Sequence, residues 1–214
     1  MKIVKLESSR RVAERWLVWL EDGSLLRVTE GEVLSFSLYA GMELSDETYD
    51  ALTVQAGRSE ARAKALDYLA AKPMSRRELT DKLTACPRDK EKEPLCTPEL
   101  AGEVCDWLEE LGYLDDRAYA KLVVRHYSAK GWGERKVRDE LFRRAVPREL
   151  WDEALEEAMP PEEGIDAFLA RRFRGIVPDQ KELKRASDAL ARRGYRWEDI
   201  REGLNRCGAA IDEE

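Results

Sequence analysis

Ser75-Arg76-Arg77-Glu78-Leu79-Thr80-Asp81-Lys82-Leu83 and Gly133-Glu134-Arg135-Lys136-Val137-Arg138-Asp139-Glu140-Leu141 share one apolar pattern at an offset of 58, with Leu79 falling on Val137 and Leu83 on Leu141. Apolar positions at i and i+4 mark a short helix with one buried stripe. From Leu141 the chain runs through Pro147, Leu150 and Trp151 to Leu155. Near the end, Leu190 leads through Gly194, Trp197 and Ile200 to Leu204, an interval of the same length, and at this offset of 49 Arg143-Arg144 lands on Arg192-Arg193. Self-similarity at a roughly fixed period is the mark of stacked units, each too small to bury its apolar stripe alone. Three copies of a three-helix unit fit. The first is longer, since the interval from Leu83 to Leu108 exceeds those from Leu141 to Leu155 and from Leu190 to Leu204, and the excess lies in Pro87-Arg88-Asp89-Lys90-Glu91-Lys92-Glu93-Pro94. Nearly pure charge between two prolines predicts a solvated loop near 84–94.

The helix boundaries carry their own signals. Ser75 with Glu78 at i+3 is a capping box. Thr97-Pro98-Glu99 is an N-cap followed by proline at the first helical position, and Leu100, Val104, Trp107, Leu108 and Leu111 carry that helix to Gly112. Upstream, Ala61, Ala65, Leu66, Leu69 and Ala70 mark an apolar face that Pro73 ends. Residues before about 56 read differently. Trp16–Leu20 and Leu25–Thr29 flank Glu21-Asp22-Gly23-Ser24, a hairpin signal because glycine accepts the positive φ of a tight turn. Thr29–Leu34 reads as a helical turn, Ser35–Tyr39 alternates as a third strand would, and Ser45-Asp46-Glu47 opens a helix. The expected fold is therefore mostly α: three tandem three-helix repeats, nine or so short helices in an elongated curved body, preceded by a small N-terminal β-rich cap. The expected divisions are an N-terminal region at 1–56, repeats at 57–115, 116–159 and 160–208, and a tail at 209–214.

Composition narrows the function. The 214 residues are 38% charged, yet at 43% apolar they can bury a core. With 37 Lys+Arg against 44 Asp+Glu the formal charge is −7, which argues against a protein that grips free DNA mainly through its phosphates. No apolar run approaches the roughly 18 residues of a membrane helix, and early charge after Met1 interrupts any export signal, so the cytoplasm is the expected location. Cys86, Cys96, Cys105 and Cys207 form no close pairs, and His126 is the single histidine, so no metal or other cofactor is expected. Cys86 and Cys96 flank the charged loop closely enough for oxidation together to be an option. Asp115-Asp116, between Gly112 and the next apolar stretch, reads as a helix cap rather than an acid–base pair. Trp107 and Trp151 lie on apolar stripes and read as core, whereas Trp132 stands between two glycines, placed to pack a turn or to face a partner.

The segment Gly112-Tyr113-Leu114-Asp115-Asp116-Arg117-Ala118-Tyr119-Ala120 resembles the most characteristic stretch of the RecX family of recombination regulators. Arg125, Gly131-Trp132-Gly133 and Val137-Arg138-Asp139-Glu140-Leu141 follow in the family's order. Ala65-Leu66-Asp67-Tyr68-Leu69 with Ser75–Leu79, and Ala40-Gly41-Met42-Glu43-Leu44, resemble its earlier parts. The resemblance covers most of the chain and is densest from about 61 to 158. It implies tandem three-helix repeats that bind the RecA recombinase filament on single-stranded DNA. It also implies inhibition of that filament's ATPase, strand exchange and co-protease activities, by a monomer that lies in the groove or caps an end and is not an enzyme. Where the family often has Lys-Gly-Ile, this chain has Arg144-Ala145-Val146, which places alanine where glycine's left-handed freedom is wanted.

Between Arg117 and Arg148 stand ten basic residues (Arg117, Lys121, Arg125, Lys130, Arg135, Lys136, Arg138, Arg143, Arg144, Arg148) against Glu134, Asp139 and Glu140, a local excess of seven positive charges. The expected partner contacts are Arg125, Lys130, Arg135, Lys136, Arg138, Arg143 and Arg144, set against an acidic groove or the DNA within it. An ordinary solvated helix face is the alternative. Weak direct contact with DNA, a nucleic-acid-binding module and a helical adaptor for another protein all remain open.

Overall fold

The computed structural model describes residues 1–86 and 94–207. Residues 87–93 of the charged insertion expected near 84–94, and the whole of the tail at 209–214, lie outside them. The chain divides into two compact units, Met1–Pro73 with Leu79–Tyr113, and Met74–Glu78 with Leu114 onward.

The first unit opens with β1 (Ile3–Ser8), β2 (Arg15–Leu20) and β3 (Leu25–Thr29), an antiparallel sheet in the order β1-β2-β3. The β2–β3 hairpin forms where Asp-Gly predicts it: Gly23 sits at φ +84°, and the Asp22 carboxylate accepts from the Ser24 amide (2.9 Å) and hydroxyl (2.7 Å). Helix α1 (Glu30–Ser35) follows, with Thr29 and Glu32 as its capping box. Helix α2 (Asp46–Ala71) is capped by Ser45 and runs unbroken through position 56. Its first turns close the core of the sheet, in which Ile3, Val18, Leu20, Val28, Leu38, Leu44 and Leu52 are buried.

The expectation of a third strand at Ser35–Tyr39 is corrected. That role belongs to β1, which pairs Leu6 with Val18 and Ser8 with Trp16. Residues 36–39 instead turn the chain: Ser37 adopts a left-handed φ of 52°, and the Leu38 amide donates back to the Val33 carbonyl at 2.9 Å. Leu38 is buried and Phe36 packs on the same core, so the apolar alternation is real, but it anchors a helix end. The remainder of the unit is the C-terminal part of α3 (Arg76–Leu83) and α4 (Pro98–Glu110), which packs on α2. Arg62 lies over the Trp107 ring at 4.6 Å. Cys96 and Cys105 are buried thiols; burial, and then the neighbouring Cys105, push the Cys96 thiol above its ordinary pKa. Cys86 is exposed and unpaired.

In the second unit, α5 (Asp116–Ala129), α6 (Glu134–Arg143), a 3₁₀ turn (Arg148–Leu150) and α7 (Trp151–Leu155) enclose Tyr119, Val123, Val124, Val137, Leu141 and Val146. Helices α8 (Pro161–Phe173), α9 (Gln180–Arg192) and α10 (Trp197–Arg206) enclose Ile165, Leu169, Leu183, Leu190, Ile200 and Leu204. Asp115 caps α5 by accepting from the Ala118 amide at 2.9 Å, while Asp116 accepts from the Arg76 amide at 2.7 Å, so both carboxylates serve helix starts. In the second unit, α5, α6 and α9 share one ending: the amides of Trp132, Val146 and Tyr195 donate back to the carbonyls of Tyr127, Leu141 and Leu190. This closure needs a left-handed residue just before the donor. Gly131 and Gly194 supply it at φ +76° and +89°, and Ala145 is held there at +50° without glycine's freedom.

Candidate partner-binding surface

The basic window folds into three environments. Along α5, Arg117 and Lys121 reach Glu153 at 3.5 and 2.9 Å, and Arg125 lies 3.9 Å from Glu157. The hydrogen bond to Glu153 holds the Lys121 ammonium above the usual lysine pKa and the Glu153 carboxyl below the usual glutamate one. These acids follow directly on the window, in Glu149–Glu157, so counting along the chain stops one helix too early to see them.

Arg144 is a packing residue. Its guanidinium donates to the Tyr119 hydroxyl (2.8 Å) and the Tyr127 hydroxyl (3.0 Å), and its Nε stands 3.6 Å from the buried Glu140 carboxylate. Burial disfavours its charge, but the two hydroxyls outweigh burial and raise its pKa above the arginine norm. Tyr119 donates onward to Glu78 at 3.1 Å, and burial lifts its own pKa. Tyr127 stacks on Trp132 with ring centres 4.6 Å apart, so Trp132 packs the turn. His126 meets the edge of Tyr127 on the exposed side of α5.

The third environment is the outward side of α6. At 100° per residue Arg135, Arg138, Asp139 and Phe142 fall on one stripe, opposite buried Val137 and Leu141. Arg138 is spoken for, donating to Glu134 (2.8 Å) and Asp152 (2.9 Å), which raises its pKa. Arg143 donates to Glu140 at 2.5 Å from a largely exposed position. Among the described residues Arg135 reaches only the Ala191 carbonyl, at 3.4 Å. Lys130 and Lys136 rest over the rings of Tyr127 and Trp132, at 5.3 and 5.7 Å. The surface therefore brings together Arg135, Arg138 and Arg143, with Lys130 and Lys136 beside aromatic rings, while Arg125 is compensated and Arg144 internal.

Phe142 escaped the sequence reading. It is 66% exposed at the C-terminal end of this stripe, beside an open groove of about 560 Å³ lined also by Arg138, Asp139, Arg143, Arg148 and Trp151. The signal was available: Leu141 completes the apolar stripe begun at Val137, which leaves Phe142 out of phase and facing water.

Within the second unit α6 is pinned at both ends. The Gly133 amide donates to the Arg193 carbonyl (2.9 Å) and the Arg135 amide to the Gly194 carbonyl (3.2 Å). At its other end the Arg144 carbonyl accepts from the Ser75 hydroxyl at 2.6 Å. Ser75 and Gly133 are the pair matched at offset 58, and Arg144 and Arg193 the pair matched at offset 49, so one joint recurs.

Short amphipathic helices joined in this way, behind a small N-terminal sheet, define a mostly helical protein that presents a charged and aromatic face. Residues 115–155 match the family model described as RecX, second three-helix domain. The "Regulatory protein RecX" of Thermus thermophilus is 38% identical over 139 residues, covering 64% of this chain and 84% of the relative. That of Streptococcus gordonii is 24% identical over 217 residues, covering all of this chain and 80% of the relative. A solved structure described as regulatory protein RecX shares the fold with a TM-score of 0.66 at 22% identity, over 95% of this chain and 98% of the other. The RecX of Lactobacillus salivarius does so at 0.56 and 18% identity, over 71% of this chain and 97% of the other. The chain belongs to the RecX family of regulatory proteins. Among the described residues no helix is long and apolar enough to cross a membrane.

Proposed function

We propose that this protein, as a monomer in the cytoplasm, binds the RecA recombinase filament on single-stranded DNA and lowers its ATPase, strand-exchange and co-protease activities. Family membership, at 38% identity over most of the Thermus thermophilus relative, is the observation that carries this reading. Helical residues 57–115, 116–159 and 160–208 act as three repeats behind the N-terminal region 1–56. Contact falls to Lys130, Arg135, Lys136 and Arg143, with Arg125 and Arg138 contributing only what their internal acids leave over. Arg144 is withdrawn from the contact set because it holds Tyr119 and Tyr127. Regulation is steric: the bound protein lies in the filament groove or caps an end and acts through no chemistry of its own. Pairing of the α5 cations with Glu153 and Glu157 favours a protein-borne partner surface over naked DNA.

The test is binding to a preassembled RecA–single-stranded DNA filament in a non-hydrolysable nucleotide, beside naked DNA at the same salt. Tight binding to the filament, weak binding to DNA and falling ATP hydrolysis are expected. Equal binding to both would make it a nucleic-acid module, and binding to neither a helical adaptor.

A further inference from the structure

We propose that Phe142 and the groove beside it are a docking site for an apolar side chain carried on an acidic protein segment. A phenylalanine 66% exposed at the end of a helix is, alone, an ordinary surface feature. Its neighbours turn that exposure into a site. The groove of about 560 Å³ is ample for an apolar side chain and its neighbours, with Trp151 as one wall; the Trp151 indole is fixed by its hydrogen bond to the Val146 carbonyl at 3.0 Å. Three arginines and one aspartate line it. Arg148 lies over the Trp151 ring at 5.8 Å, and neither it nor Arg135 has a carboxylate partner among the described residues. An aromatic anchor ringed by arginines is the arrangement in which a few residues dominate the energy of a protein interface. Arg138 and Arg143 are already paired with Glu134, Asp152 and Glu140, so the unspent positive charge at the rim is that of Arg148, and it selects an acidic residue beside the incoming apolar group.

A nucleic acid fits less well. Asp139 lines the groove and Asp152 pairs with Arg138 at 2.9 Å, so carboxylates stand beside the ring; one exposed ring offers no ladder of stacking platforms, and the chain carries −7 overall. Asp139 faces the groove with its own charge, so the acidic residues of the partner belong on the Arg143 and Arg148 side.

The proposal rests on the reading that the partner is a protein filament, and its test separates the two. Filament affinity is measured for the parent, Phe142→Ser, Phe142→Leu and Arg148→Glu, each with a urea midpoint to show that the fold is intact. Phe142→Ser and Arg148→Glu are expected to weaken binding about tenfold or more, and Phe142→Leu to retain most of it. Parent binding that Phe142→Ser leaves unchanged overturns the docking site while the filament reading stands. An equal loss on naked single-stranded DNA assigns Phe142 to base stacking and also overturns it. A parent that binds no filament overturns the filament reading. The groove is then probed directly with a glutamate peptide carrying one central leucine, against the same peptide with alanine, by amide NMR. Shifts at Phe142, Arg148 and Trp151 with the leucine peptide alone are expected, and identical spectra overturn the site.

Discussion

Gly133→Ala should unlock the joint between α6 and the turn after α9. Gly133 has an ordinary φ of −76°, so alanine strains no backbone dihedral there. The cost is steric. A Cβ would sit 2.5 Å from the Gly194 carbonyl oxygen, and closer to Gly194 C and Tyr195 N, all backbone atoms that cannot rotate aside. Restoring contact distance requires the two segments to part by about 1 Å. That stretches the Gly133 and Arg135 amide bonds from 2.9 and 3.2 Å beyond hydrogen-bonding range. Two lost bonds at about 1 kcal/mol each, with about 1–3 kcal/mol of overpacking, less about 0.5–1 kcal/mol from a stiffer unfolded chain, leave about 3 kcal/mol. Urea unfolding gives the loss, and amide exchange at positions 133 and 135 locates it. Gly57→Ala is the control: it lies mid-helix with nothing near its Cβ, and should stabilise by about 0.5–1 kcal/mol. A Gly133→Ala protein within about 0.5 kcal/mol of the parent, with both amides still protected, would refute the joint.

Ala145→Gly should raise the urea midpoint, adding about 0.5–1 kcal/mol, because glycine occupies φ +50° without the penalty alanine carries; a lower midpoint would contradict strain there. Arg144→Ala should cost about 2–3 kcal/mol by leaving two tyrosine hydroxyls without their donor, whereas Arg135→Ala should stay within about 0.5 kcal/mol; equal losses would remove the distinction between packing and surface arginines. Burial lifts the Tyr195 pKa above its ordinary 10.0, against the opposing pull of Arg193. The folded state then holds its proton where the unfolded chain has lost it, so this contribution declines as pH rises past the unfolded value. Tyr195→Phe should flatten the fall in urea midpoint between about pH 9 and about pH 11, and a parallel fall would exclude Tyr195 as its source. Glu153→Gln with Glu157→Gln should free Arg117, Lys121 and Arg125, tightening binding to naked single-stranded DNA and steepening its salt dependence by about 1–2 log units per log unit. Unchanged DNA binding would mean these pairs mask nothing.

What the sequence disclosed and what it hid divide along the range of the interactions involved. Local chemistry was legible: Asp22-Gly23 made its hairpin, Ser75 and Glu78 their capping box, and Asp115 its cap. The offsets 58 and 49 were legible too, because the matched helices bury the same apolar stripe, Leu79 and Leu83 against Val137 and Leu141 and then Leu141 against Leu190. Charge counting overstated the free charge on α5, since Glu153 and Glu157, close in space but beyond the window, pair with Arg117, Lys121 and Arg125. Arg144 reads as a contact because a half-buried arginine and an exposed one look alike in sequence; its partners Tyr119 and Tyr127 lie on another helix, beyond the reach of any local pattern. At Ser35–Tyr39 the error was one of period: two apolar residues two apart serve a left-handed helix end as well as a strand. β1 was hidden by Lys5 and Glu7, which face away from the core and pair with each other at 2.7 Å.

The joint bears on binding as well as on stability. An exposed aromatic on a mobile element must be ordered when it docks, which sets back each contact it makes. Phe142 and the α6 arginines avoid much of that cost. Their helix is tied to the Arg193 and Gly194 carbonyls at its start, and at its end to Ser75 through the Arg144 carbonyl and to two tyrosines through the Arg144 side chain. In the first joint a serine hydroxyl spans the gap, and in the second a glycine lets the backbones touch, so two residue types serve one geometry. Loosening either tie should therefore weaken partner binding by raising the ordering cost while leaving every contact residue in place. Ser75→Ala and Gly133→Ala, neither of them a contact residue, should thus lose filament affinity chiefly through faster release from a poorly held surface. Unchanged dissociation rates in both variants, with the joints shown open by amide exchange, would detach the recurring joint from function and leave it a device of folding alone.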